Sequence, residues 1–299
     1  MNRLHLAEFV LSRHGKIDTR GPLAWHLAIA PRRLANLNPV ERHASLWKTS
    51  NPGFSYDGTQ PMTLRARIGY TSVAYVTEIF PRVFYDMVPD GVLLQILTQQ
   101  VTSHTPRNME RIHDEARAAA ASFARAGADL VILGGAPTNL SRGRAALDAA
   151  LDEIADEIGV PVSSSATAQS NALTAVGAQK IGVVHPSNPK RDEAHNSQMR
   201  DDGLETLGIK SAGATFEDYN RIPAEAALTL GRELVAENPA IDTLLYSCPH
   251  WAATHAIEPL ERELGVNVVT SLQAITWEGL RKCGIKDRFD GYGKLLREH

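Results

Sequence analysis

From Arg67 onward, short runs of β-branched and apolar residues alternate with longer stretches whose apolar positions recur every three or four residues. The runs RIGYTSV (67–73), DLVILGG (129–135), VPVSSS (160–165), KIGVVH (180–185), DTLLYSC (242–248) and VNVVTS (266–271) are predicted strands. NMERIHDEARAAAASFARAGA, RAALDAALDEIADEIG and PAEAALTLGRELVAENP are predicted helices; the second ends on Gly159, and the third starts at Pro223 and stops before Pro239. Such alternation is the signature of βαβ units, so the fold class is α/β with mainly parallel sheet. Residues 1–66 break the pattern. RGPLAWHLAIAPRRLANLNP and KTSNPGFSYDGTQPMT are rich in Pro, Asn, Gly and aromatics, and read as an N-terminal extension, cap or oligomer arm.

The pattern also echoes itself. GADLVILGGAPTNLSRGRAALDAALDEIADEIGVPV and AIDTLLYSCPHWAATHAIEPLERELGVNVV both run strand, small-residue loop, helix, Gly-Val, strand. Two copies of one unit imply two related lobes facing each other. The expected division is residues 67–175 plus 273–299 for the first lobe and 176–272 for the second. Ligands of open α/β sheets collect beyond the carboxyl ends of the strands, so the loops after 135, 185 and 248 are where a site is sought.

Composition narrows the function classes. The net charge of −3 with interspersed signs leaves no polybasic stripe for nucleic acid or an anionic membrane. No apolar run reaches the ~20 residues that span a bilayer, and charges interrupt the N-terminus where a signal peptide would be continuous, so a cytoplasmic protein is expected. Two cysteines, Cys248 and Cys283, make no disulfide framework and read as free thiols. GGAPTNLSRG fits neither phosphate-loop pattern. Cys248, His250 and His255 are conceivable metal ligands, but His residues five apart point about 140° from each other on a helix; no metal or cofactor is expected.

Cys248 is the candidate for chemistry. Its position alone supports two readings: a small buried hydrophobe at the end of a strand, or a thiol tuned by the dipole of the helix that follows. The surrounding pattern adds to this. DTLLYSC…AIEPLERELGVNVVTSLQAITWEGLRKCG…GYGKLL, preceded by RIGY, GADLVILGG…SRGRAALDAAL and GVPVSSSATAQSNALTAVGAQKIGVV, resembles the Asp/Glu racemase superfamily, in the branch of arylmalonate decarboxylases and maleate cis-trans isomerases. The resemblance covers about residues 67 to 296. It implies two pseudo-symmetric α/β lobes, each a mainly parallel sheet flanked by helices, with the active site in the cleft between them.

The resemblance also implies residue roles. Members that racemise or isomerise use one cysteine from each lobe; Cys248 matches the second, whereas Gly135 stands at the first. That half-pattern is the one of arylmalonate decarboxylases, where one thiol protonates one face of an enediolate without a cofactor. The resemblance makes Cys248 the proton donor and places Thr77, Gly135, Ala136, Thr138, Asn139, His185, Ser187 and His250 around the substrate. The hydroxyl-bearing residues beside the first-lobe glycine are replaced by Ala136 and Pro137, the first loop keeps Thr77 within AYVT, and Ser187 stands for a tyrosine hydroxyl. Pro249 has no N–H to donate. Thr77, Thr138 and Asn139 can equally cap helices, Ser187 can belong to a Pro-bounded turn, His185 and His250 can be simple satisfied histidines, and Cys283 reads as structural. The expected function is decarboxylation of an arylmalonate-like dicarboxylate by a single cysteine. A maleate-type isomerase or racemase of a small carboxylate is the alternative, and a non-catalytic ligand-binding protein on the same fold a second. Partners are a small carboxylate and, through the N-terminal arm, a second copy of the chain.

Overall fold

The computed structural model describes residues 63–74, 77–101 and 105–299. The expected N-terminal arm therefore lies almost wholly outside the described residues. Beyond it stand two four-stranded parallel sheets of identical topology. The first has the order β2-β1-β3-β4, with β1 at Ala66–Ser72, β2 at Val92–Thr98, β3 at Leu130–Leu133 and β4 at Val162–Ser164. The second has the order β6-β5-β7-β8, with β5 at Lys180–His185, β6 at Glu205–Ser211, β7 at Thr243–Tyr246 and β8 at Asn267–Thr270. The registers correspond as well: Tyr70 lies beside Ile132 in the first sheet and Val183 beside Leu245 in the second.

The helices, in chain order, are α1 (Ile79–Phe84), α2 (Pro106–Arg125), α3 (Ala136–Asn139), α4 (Arg144–Ile158) and α5 (Ser165–Ala175) around the first sheet. After β5 in the chain follow α6 (Asp192–Asp201), α7 (Ala224–Glu237), α8 (Ile257–Leu264), α9 (Ser271–Lys282) and α10 (Gly293–Glu298). Helix α4 ends as its sequence demands, with Gly159 left-handed at φ 66°. The inner strands are buried on both faces, as a parallel sheet covered by helices requires: Val131, Ile132, Leu244 and Leu245 have no exposure.

Helices α5 and α9 join the lobes by crossing over. Helix α5 leaves β4 of the first sheet, yet its Ala172 and Leu173 pack with Ile181, Val183 and Leu245 of the second. Helix α9 leaves β8 of the second sheet, and its Leu272, Ile275 and Leu280 pack with Ile68, Leu130 and Ile132 of the first. A Cβ at Gly279 would come within 2.8 Å of Ile68 Cδ1, so glycine is what lets α9 lie this close. This exchange brings the carboxyl ends of β3, β4, β7 and β8 to one cavity.

Candidate active site

A cavity of about 210 Å³ opens where the loops after those strands meet. From the first lobe come Gly135, Ala136, Thr138 and Ser165, and from the second Ser187, Cys248, His250 and Ser271. Cys248 follows β7 by two residues and is the one non-glycine with positive φ among the described residues, at 153°. Its N–H donates to Ser271 Oγ at 3.0 Å. The backbone N–H groups of His250 and Trp251 in turn face its sulfur. Burial dominates, however, and pushes the thiol up to about 12, against the partial help of those two donors. At neutral pH Cys248 is therefore a protonated thiol.

One expectation is corrected at this point. The thiol was expected to sit directly before a helix whose dipole would tune it, but α8 begins only at Ile257, after a loop and a 3-10 turn at Thr254–Ala256. Two loop N–H groups take the place of the helix end, which falls off within one turn.

Gly135 closes the first-lobe side of the cavity. Its φ is 83°, and a Cβ there would meet Val73 Cγ1 at 2.7 Å, so both backbone and space oppose a side chain. The neighbouring backbone is tied in place: Asn139 Nδ2 donates to Leu133 O at 2.8 Å and to Ser165 Oγ at 3.4 Å. Asn139 thus fastens the end of β3 and is not among the cavity-lining residues. Thr138 is 4 % exposed and lines the wall. No side chain caps α3; its N-cap is Gly135.

Two more expected residues lie off the cavity wall. Thr77 Oγ1 is buried without a hydrogen-bond partner among the described residues, beside residues 75–76, which are outside them. His185 is fully buried, with Nε2 bonded to Asp192 Oδ1 at 2.8 Å and its ring stacked on His195 at 4.6 Å. It reaches the cavity only through His195, whose pKa falls to about 3 through burial and then through His185 and Arg191. His250 does line the cavity. Burial lowers it to about 4, so it is neutral, and its Nε2 lies 3.4 Å from Ser72 Oγ.

Ser187 also lines the wall and accepts a hydrogen bond from Tyr219 Oη at 2.6 Å. Tyr219 is raised to about 12, mainly by burial and in part by the charge that a Cys248 thiolate would carry. Arg191, Glu217 and Phe216 complete that side. Sequence reasoning missed Ser165, Gln169, Arg191, His195, Tyr219 and Ser271. Ser165 and Ser271 could have been found, since each opens the helix after the last strand of its lobe, in VSSSATAQ and VVTSLQAI. Tyr219 could not, because it arrives on a 3-10 segment, Phe216–Arg221, after β6, an edge strand whose pattern is too weak to read from sequence. Cys283 lies at the end of α9, partly buried against the first core. Among the described residues no group of three or more His, Cys, Asp or Glu could hold a metal ion, and no helix is long and apolar enough to cross a membrane.

Known proteins share this fold. Residues 87–296 match the family profile of arylmalonate decarboxylase. The arylmalonate decarboxylase of Bordetella bronchiseptica is 30 % identical over 200 residues, covering 66 % of this chain and 82 % of that protein. A structure of unliganded arylmalonate decarboxylase superposes with a TM-score of 0.70 at 25 % identity, covering 78 % of this chain and all of the other. The maleate isomerase Iso of Pseudomonas putida S16 superposes with a TM-score of 0.71 over 78 % of this chain and 98 % of the other, at 16 % identity, which speaks for the shared fold. Sequence and architecture agree: the chain is an enzyme, a decarboxylase or isomerase, and belongs to the arylmalonate decarboxylase family.

Proposed function

We propose that the protein decarboxylates an arylmalonate-like dicarboxylate without a cofactor, with Cys248 as the single proton donor. The observation that carries this reading is a cavity with Cys248 on its second-lobe side and, as its first-lobe counterpart, Gly135, which bears no side chain and sits hard against Val73; burial raises the thiol, so it holds a proton to give. The bond between the α-carbon and one carboxylate breaks, its electron pair stays on the substrate as an enediolate, and CO2 leaves. The S–H proton of Cys248 then passes to the α-carbon. The enediolate is far more basic than a thiolate, so a thiol near 12 is still an adequate acid. The thiolate left behind is met by the N–H groups of His250 and Trp251 and regains its proton from solvent.

The developing charge on the retained carboxylate needs donors already in place, each worth about 3 kcal/mol to the transition state. Thr138 and Ser187 are suited to this, and Tyr219 fixes the Ser187 oxygen by donating to it. Arg191 supplies positive charge for a dianionic substrate, and Val73, Val101, Phe216 and Pro249 supply apolar wall for an aryl group. Isomerisation or racemisation requires either a resting thiolate nucleophile or a second acid–base group opposite Cys248. A thiol raised by burial and a bare Gly135 provide neither. CO2 release from 2-methyl-2-phenylmalonate is the test: wild type releases it, and Cys248→Ala lowers kcat by about 10²–10⁴. Exchange of solvent deuterium into a small carboxylate without CO2 release would replace this reading with the isomerase one.

A further inference from the structure

Beside Cys248 runs a chain of side-chain hydrogen bonds that ends on the cavity. Gln198 Nε2 donates to Gln169 Oε1 at 3.0 Å, and Gln169 Nε2 donates to Ser271 Oγ at 2.6 Å. Ser271 Oγ accepts a second bond, from Cys248 N at 3.0 Å. Gln198, Gln169 and Ser271 are 3 %, 1 % and 0 % exposed. A hydroxyl has two acceptor lone pairs and one proton. Both lone pairs of Ser271 are engaged, and among the described residues no hydrogen bond uses its proton. Ser271 and Gln169 both line the cavity, so the proton has one direction left.

We infer that Ser271 donates a hydrogen bond to the anionic substrate, and that the one-way chain Gln198 to Gln169 to Ser271 holds it in that role. This supplies on the second-lobe side a donor of the kind that Ala136 and Pro137 no longer supply on the first. It rests on reading this cavity as the active site, and it names the ligand chemistry: a carboxylate oxygen placed next to the thiol that protonates the adjoining carbon. Donors polarised in series strengthen one another, and a bond to a charged acceptor is worth more than a neutral one. The opposite polarity, with both amides turned over, would have Ser271 donate to Gln169 and give the cavity nothing.

Gln169→Glu separates the two. A carboxylate at 169 accepts the Ser271 proton and turns the hydroxyl away from the cavity, whereas in the opposite polarity it reproduces what the glutamine already does. With phenylacetate as probe, measured by titration calorimetry on the full chain, Ser271→Ala and Gln169→Glu each weaken binding by about ten- to a hundredfold at pH 8. Binding to Gln169→Glu then recovers toward pH 6 as the new carboxyl takes up a proton and donates again, a response no folding defect gives. Wild-type affinity in either variant at pH 8, or no phenylacetate binding to wild type, overturns the inference. Failure of wild type to release CO2 from 2-methyl-2-phenylmalonate, with the binding differences intact, overturns the decarboxylase reading instead.

Discussion

The proposed one-thiol chemistry needs a bare backbone at Gly135, and Gly135→Ala measures how firmly the structure keeps it bare. Alanine at φ 83° costs roughly 1–2 kcal/mol for the left-handed conformation alone. Its Cβ would also stand 2.7 Å from Val73 Cγ1 and 3.2 Å from Val73 Cγ2, well inside the ~3.5–4.0 Å at which carbon atoms rest. Valine is stiff at χ1 and gives way only at a cost, so the overlap adds about 1–3 kcal/mol. Equilibrium urea unfolding should therefore show Gly135→Ala destabilised by roughly 2–5 kcal/mol at unchanged m-value. Adding Val73→Ala should return the steric part, with a coupling of about 1 kcal/mol or more in the double-mutant cycle. A Gly135→Ala protein within 0.5 kcal/mol of wild type would refute the reasoning, because room for a second side chain would then exist.

Further outcomes follow from the same geometry. Tyr219→Phe removes the donor to Ser187 Oγ and should lower kcat more than it raises KM, by about tenfold in steady-state assays with 2-methyl-2-phenylmalonate. Asn139→Ala releases the carbonyl of Leu133 and should cost about 1–3 kcal/mol in thermal or urea unfolding, with KM nearly unchanged because Asn139 does not line the cavity. His250 and His195, held near 4 and 3 against about 6.5 when unfolded, contribute stability that is complete above the unfolded value and is lost as pH falls toward the folded one. The urea midpoint should be flat from pH 8 to 7 and decline from about 6.5 to 4, with His250 alone accounting for about 3 kcal/mol.

Much of this architecture was written in the chain. The echo between residues 127–162 and 240–269 is the repeat of β3 to β4 in β7 to β8, and the six strong apolar runs became the inner strands and their neighbours. The two strands that escaped, β2 and β6, are the corresponding edge of each sheet. An edge strand has one neighbour and a partly wet face: Leu97 is 40 % exposed, and ETLGIKS carries a glycine, a lysine and no fully buried residue. Their periodicity is accordingly weak. The strands in the structure stop sooner than the predicted runs, because the last residues, Gly134–Gly135 and Ser247–Cys248, turn off the sheet toward the cavity.

The lining of the candidate cavity was legible where it follows a strand in sequence. Cys248, Gly135, Ala136, Thr138, Ser187 and His250 meet in one cavity. What sequence could not give is the direction of a side chain. Asn139 turns back onto β3, and His185 points into the second lobe toward Asp192. The raised thiol was hidden for the same reason: an intervening loop keeps α8 away from Cys248, so burial governs the sulfur.

The stereochemistry of protonation tests the central claim most directly. Decarboxylation of 2-methyl-2-phenylmalonate creates a chiral 2-phenylpropionate, and a lone thiol fixed on one face allows one enantiomer. Chiral chromatography of the product should show a single enantiomer from wild type, and from Cys248→Ala only a trace that is racemic. The same enantiomer formed by Cys248→Ala at a rate near that of wild type would contradict the account.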